Sequence, residues 1–129
     1  MANSGFSKKA RLLGANEFEA VFSRNQTRVS NRYFLFLALN NEKSSRLGIV
    51  VAKKNIATAV QRNRIKRLIR ESFRNSTEKP ENRDVVVLVR KNADKLSNSE
   101  ILLNLNRLWQ DLASRSHESS SKVNQKNRD

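Results

Sequence analysis

The stretch from Thr58 to Phe73, TAVQRNRIKRLIRESF, sets the reading of this chain. On a 3.6-residue period, Ile65, Leu68, Ile69 and Phe73 fall on one apolar stripe, edged by Gln61 and Ser72. Asn63, Arg67, Arg70 and Arg74 fall on the opposite face, flanked by Arg64 and Lys66. The spacing therefore predicts an amphipathic helix from about Thr58 to Arg74, one side anchored in a core and the other densely positive. Glu71 is the only acid between Arg62 and Arg74. One carboxylate is too few for i,i+4 pairing to quiet the repulsion among so many cations. A charge run is ordinarily no more than a solvated helix face. Here the shortage of acids sets it apart, because such a face weakens the free fold unless the phosphates of a nucleic acid neutralise it.

Upstream of this helix, Tyr33 to Leu39 (YFLFLAL) reads as a strand. The polar stretch Asn40 to Ser45 reads as a hairpin connection to a second strand, Leu47 to Ala52. Downstream, Asp84 to Arg90 (DVVVLVR) is the apolar β-branched run of a buried strand. Ser97 with Glu100 makes a capping box for a last helix, along which Ile101, Leu105, Leu108 and Leu112 form a stripe widened by Leu102 and Trp109. Near the start, Asn16 is expected to cap a short helix with Glu19 at its third position, and Phe18, Val21 and Phe22 share a face. The order α-β-β-α-β-α suits an α/β (α+β) two-layer sandwich around one sheet, in a small single domain spanning 8–113. From Ser114 onward there is almost nothing to bury, so 114–129 is expected to be a disordered basic and polar tail, with 1–7 a flexible N-terminus.

The chain has 129 residues and a formal net charge of +14, more than solubility asks of a small domain. An excess of that size points to a phosphate-rich partner, with an anionic membrane surface as the lesser alternative. Cysteine is absent, which excludes disulfides and thiolate metal sites. No apolar run is long enough for a signal peptide or a membrane span, so a cytoplasmic protein is expected.

The run Ala59-Val60-Gln61-Arg62-Asn63-Arg64-Ile65-Lys66-Arg67-Leu68 resembles the Arg-Asn-Arg helix of the bacterial ribonuclease P protein family. The likeness covers roughly Lys8 to Leu112. It takes in Asn16-Glu17-Phe18 with Val21-Phe22, Asn31-Arg32-Tyr33-Phe34, Arg46-Leu47-Gly48, Val51-Ala52-Lys53-Lys54 and the late strand ending at Arg90-Lys91. A basic helix alone is a weak signal, whereas these segments in this order are a strong one. The resemblance implies a ribosomal-protein-S5-domain-2-like fold with a left-handed βαβ crossover, where general rules predict a right-handed one. It also implies that Arg62, Asn63, Arg64, Lys66, Arg67 and Arg70 contact a catalytic RNA subunit. Arginine suits phosphate forks and base stacking, and Asn63 suits a base or sugar edge.

The same resemblance places the first helix beside a concave sheet surface, forming a cleft for the single-stranded 5′ leader of precursor tRNA. Phe18 and Phe22 would supply an aromatic platform and Lys53 and Lys54 the cations that unstacked nucleotides require. On residues alone, two phenylalanines at i and i+4 are ordinarily core, and lysines at a strand end are ordinarily solvated. Two departures stand out. An aromatic that many members carry on the first strand lands near Leu37, leaving Phe36 or Tyr33 as the substitute, or no substitute at all. A glycine often found between the paired lysines and the arginine helix is missing from Asn55-Ile56-Ala57-Thr58.

A nuclease of its own would need an activated nucleophile or metal-binding carboxylates. The lone histidine, His117, lies in the expected tail; Glu17 and Glu19 point to different helix faces; Asp84, Asp94 and Asp111 are isolated in the sequence. The resemblance implies that RNA is the catalyst, with magnesium held mainly by that RNA. The protein would assist endonucleolytic removal of the leader, with no protein partner and no membrane in view. The alternatives are a structural ribosomal-type RNA-binding protein, a helix-turn-helix DNA binder, and a self-sufficient nuclease. No second short helix abuts the arginine helix as the DNA binder would need.

Overall fold

The computed structural model describes residues 13–76 and 82–126, with 116–126 as backbone helix only. Helix α1 (Ala15–Arg24) leads into strands β1 (Thr27–Ser30), β2 (Phe34–Asn40) and β3 (Arg46–Val50). Helix α2 (Ala59–Asn75), strand β4 (Arg83–Val89), a 3-10 turn (Ala93–Lys95) and helix α3 (Asn98–Lys126) follow. The elements expected from periodicity are all present. The addition is β1, whose Thr27 and Val29 are buried while Arg28 and Ser30 are exposed. Four residues are too short for that alternation to register in a polar stretch.

The sheet order is β1-β2-β4-β3, with β2 antiparallel to β1 and β4, and β3 parallel to β4. The expected hairpin between β2 and β3 is therefore not formed, because β4 lies between them. Strand β4, with its unbroken apolar run from Val85 to Val89, joins β2 at the centre of the sheet, where helices cover both faces. The 40–45 stretch binds instead to the approach to β4. Asn41 N–H donates to Asn82 O at 2.8 Å, and Asn82 Nδ2 donates to Lys43 O at 2.7 Å. Asn82 takes a left-handed φ of 59°, which asparagine tolerates well.

The main core fills one face of the sheet. Phe34, Phe36 and Ala38 of β2 and Val85, Val87 and Val89 of β4 meet Ile65, Leu68, Ile69 and Phe73 of α2. Ile101, Leu105, Leu108, Trp109 and Leu112 of α3 close the same core, so both predicted stripes are buried. Ser72, at the edge of the α2 stripe, accepts a 2.6 Å hydrogen bond from Trp109 Nε1. That bond satisfies the indole inside the core and joins the two helices. This sheet-on-helix-pair packing is the expected sandwich, and α1 crosses part of the opposite face, where Val21, Leu37 and Val86 form a smaller cluster.

The helix ends follow capping chemistry. Thr58 caps α2, its hydroxyl accepting from Gln61 N–H at 3.2 Å. Ser97 and Glu100 exchange the expected reciprocal bonds at the start of α3, at 2.8 and 3.1 Å. At α1 the cap is Gly14 rather than Asn16, and Glu17 rather than Glu19 turns back to accept from Gly14 N–H at 2.9 Å. Glu17 is favoured there because its other oxygen lies 3.8 Å from Arg46, which itself pairs with the buried Asp84. Helix α3 runs on to Lys126, through the stretch from Ser114 expected to be a disordered tail. Residues 1–7, Pro80 and the last three residues lie outside the described residues.

Candidate nucleic-acid interface

Because one stripe of α2 is held by the core, its other face is set rigidly outward. Asn63, Arg67, Arg70 and Arg74 are all exposed there, as the periodicity predicts. Among the described residues, the only ion pairs join Arg46 to Glu17 and to Asp84. Glu71 thus reaches none of its cationic neighbours, and Lys66, Arg67, Arg70 and Arg74 keep their charges unpaired.

The structure separates the six predicted RNA-subunit contacts into two groups. Arg62 is turned back to the loop before the helix, its Nη1 donating to Ile56 O at 3.0 Å and Ala57 O at 2.9 Å. Arg64 is a clamp between elements. Its Nε donates to Gln61 Oε1 at 2.8 Å and its Nη1 to Asn98 Oδ1 at 2.6 Å. Its Nη2 reaches Asp94 O and Leu96 O at 3.2 and 3.1 Å. Those carbonyls belong to the 3-10 turn and the connection to α3, so Arg64 ties α2 to the start of α3. Among the described residues, Asn63, Lys66, Arg67 and Arg70 make no such bonds and are available to a ligand.

The face carrying α1 has three rows in register across the strands. The first is Ser30, Leu35, Leu88 and Val50; the second is Arg28, Leu37, Val86 and Gly48; the third runs from Leu39 through Asp84 to Arg46. Helix α1 lies over the second row, with Val21 against Leu37 and Val86 and the Phe18 ring against Gly48. Glu17 is directed to the third row by Arg46. At 100° per residue, Phe18 and Phe22 project from the other flank and border the first row. Leu35, Leu88 and Val50 there remain only half-buried, forming an apolar floor beside the helix.

Phe22 is 44% exposed and stacks on Phe18 with ring centroids 6.3 Å apart and an interplanar angle of 20°. A phenylalanine in that position is not a core residue. Lys53 and Lys54 are exposed in a turn just past β3. Asn55 Nδ2 donates to Val89 O at 3.0 Å, which holds that turn against the end of β4. Arg90, exposed at the same end, donates from Nη1 to Asn31 O at 2.8 Å. The groove between α1 and the first row is thus aromatic on one wall, apolar on its floor and cationic at its end. No residue of the Asn55–Thr58 loop has a positive φ, so the missing glycine is not required there.

One predicted cleft residue is misplaced. Phe36 is 0% exposed and packs edge-on to Trp109, centroids 4.6 Å apart, on the opposite face of the sheet. Strand alternation sends Leu35, Leu37 and Leu39 towards α1 and Phe34 and Phe36 away from it. Tyr33 also packs against the main core. The aromatic surface of the groove therefore rests on Phe18 and Phe22, with leucine at position 37. Sequence reasoning did not single out Leu35, Leu88, Val50 and Arg90 for the groove. Their period-two pattern is visible, but which strands lie side by side is not.

Among the described residues, no three of His, Asp and Glu gather into a group able to hold a metal ion, and no helix is long and apolar enough to cross a membrane. Asp84 is spent on Arg46, which donates to its two oxygens at 2.9 and 3.0 Å. The hydrogen bond to Asp84 also holds the Arg46 guanidinium above its ordinary value, against the opposing effect of burial.

Known proteins share this sequence pattern and this fold. A family profile described as Ribonuclease P matches residues 6–113. The chain is 44% identical over 119 residues to the ribonuclease P protein component of Pseudoalteromonas atlantica, covering 92% of this chain and 99% of that one. It is 45% identical over 114 residues to the corresponding component of Vibrio parahaemolyticus, covering 88% and 96%. Among solved structures, the ribonuclease P protein from Thermotoga maritima is similar with a TM-score of 0.69 at 33% identity, covering 78% of this chain and 96% of that one. The Staphylococcus aureus protein gives 0.69 at 32% identity, covering 76% and 90%.

Proposed function

The chain belongs to the ribonuclease P protein family, and from that premise we propose how it works as the tRNA-processing subunit of that endoribonuclease. It assembles with a catalytic RNA subunit through the outer face of α2 and grips the 5′ leader of precursor tRNA in the groove beside α1. The RNA then hydrolyses one phosphodiester bond, releasing the leader and a tRNA with a 5′-phosphate. The observation that carries this reading is the unpaired cationic face of Lys66, Arg67, Arg70 and Arg74 on a helix rigidly held from behind. Phosphates are the ligand that such a face lacks.

The groove suits single-stranded RNA for a separate reason. Stacking on Phe22 needs no particular base, and Lys53, Lys54 and Arg90 stand where the backbone would pass. In this reading the RNA holds the magnesium ions and carries out the hydrolysis, while the protein binds and positions the two RNAs. The work is cytoplasmic, where precursor tRNA is made.

Reconstitution tests the reading directly. Protein and cognate RNA subunit together should cleave precursor tRNA at the mature 5′ end, with higher affinity for precursor than for mature tRNA. Protein freed of RNA should not cleave at any magnesium concentration, and His117→Ala should leave holoenzyme turnover unchanged. Site-specific cleavage by RNA-free protein, with contaminating nuclease excluded, would overturn the assignment.

A further inference from the structure

Gly48 is buried in the middle of β3, opposite Val86 and on the face that carries α1. Its φ lies outside the left-handed region, so the backbone there suits any residue. Space makes the demand. A Cβ at this position would lie 2.5 Å from Cζ and 2.8 Å from Cε1 of Phe18, and 3.0 Å from Cδ1 of Leu13. Carbon atoms rest about 3.5 to 4 Å apart, so the Phe18 ring would have to retreat by about an ångström.

The helix itself has little freedom to follow. Just before it, Leu13 N–H donates to Leu47 O at 3.2 Å; just after it, Gln26 N–H donates to Ala38 O at 2.8 Å. Val21 is fully buried between these anchors. The ring must therefore yield while the helix stays, and Phe22 is stacked on that ring.

We propose that Gly48 is a positioning residue for leader recognition: by carrying no side chain it seats Phe18 against β3, and so sets the depth at which Phe22 faces the floor of Leu35, Leu88 and Val50. The inference rests on the groove being the leader site. Gly48 itself touches no RNA. It acts through Phe18, and the effect is confined to substrates long enough to enter the groove.

The test uses reconstituted holoenzyme and precursor tRNAs carrying either a long leader or a single leader nucleotide, with affinity and saturating single-turnover rate measured separately. Gly48→Ala should weaken binding of the long-leader substrate by about tenfold, the loss of roughly one base stack. The short-leader affinity and the saturating rate should stay within about twofold of the wild type, where a simple folding defect would lower both substrates alike. In a Phe18→Leu background the outer ring atoms are gone, so adding Gly48→Ala should cost nothing further. Equal losses in both backgrounds would overturn the route through Phe18. If Gly48→Ala alone fails to fold, a folded Phe18→Leu/Gly48→Ala protein with the affinity of Phe18→Leu still supports the seat, and an unfolded one refutes it. Phe22→Ala separates the two levels. If it leaves leader affinity unchanged, the groove reading fails; if it lowers leader affinity while folded Gly48→Ala does not, only the role of Gly48 fails.

Discussion

Replacing Arg67 and Arg70 together by alanine removes two exposed cations from the outer face of α2 without touching its buried stripe. Neither side chain has a hydrogen bond or ion pair among the described residues, and both α-carbons sit on a helix fixed by Ile65, Leu68, Ile69 and Phe73. The fold should therefore keep its stability, or gain slightly as repulsion falls. If each arginine neutralises one phosphate, the log–log dependence of RNA-subunit affinity on salt should flatten by about 0.7 to 0.9 per contact, about 1.4 to 1.8 in all. Arg64→Ala is the internal contrast. It removes four hydrogen bonds and strips donors from Asp94 O and Leu96 O. Since the guanidinium is partly exposed and water can replace some of it, the loss is about 1 to 2 kcal/mol of folding stability. A thermal midpoint lower by several degrees would report that loss. Filter binding of the RNA subunit across a monovalent salt series at fixed magnesium, beside thermal unfolding, resolves the two effects. A folded Arg67→Ala/Arg70→Ala protein with an unchanged slope would refute the phosphate assignment. A stable Arg64→Ala protein would refute the clamp.

Phe22→Ala should weaken precursor tRNA binding by about 1 to 3 kcal/mol while mature tRNA binds as before; equal loss for both RNAs with a large drop in melting temperature would make Phe22 a core residue after all. Trp109→Phe deletes the buried bond to Ser72 and leaves a void, so chemical denaturation should show a loss of about 1 to 3 kcal/mol, and an unchanged midpoint would count against that bond. Asp84→Asn leaves Arg46 with only the more distant carboxylate of Glu17, and the cost should be about 3 kcal/mol, read by denaturant titration. The Arg46 pKa is raised, so the stability it contributes is fully present below its ordinary value and is lost only as pH climbs through the raised one; wild-type stability that faded already between neutral and mildly alkaline pH through this pair would contradict that sign.

The chain's own pattern was enough for the helices and for the partner's chemistry. A 3.6-residue stripe must be buried wherever the helix packs, so Ile65 to Phe73 and Ile101 to Leu112 were legible as core before any neighbour was known. The shortage of acids around the arginines is likewise a local property, and so is the exchange between Ser97 and Glu100. Neighbouring strands are not local. The hairpin expected from β2 and β3 fails because β4, some forty residues on, is the more apolar strand and takes the place between them. That choice decides which residues share a row, and so that Phe36 belongs to the core with Trp109 while Leu35, Leu88 and Val50 floor a groove. The same holds for the arginines. Spacing sets Arg64 on the flank of the face that carries Arg67 and Arg70, and Arg62 in line with Ile69 seven residues on, but only the tertiary structure brings the carbonyls of Ile56, Ala57, Asp94 and Leu96 within their reach. Gly48 shows the limit most sharply: a glycine in a strand says that something comes close, and the ring of Phe18, thirty residues away, says what.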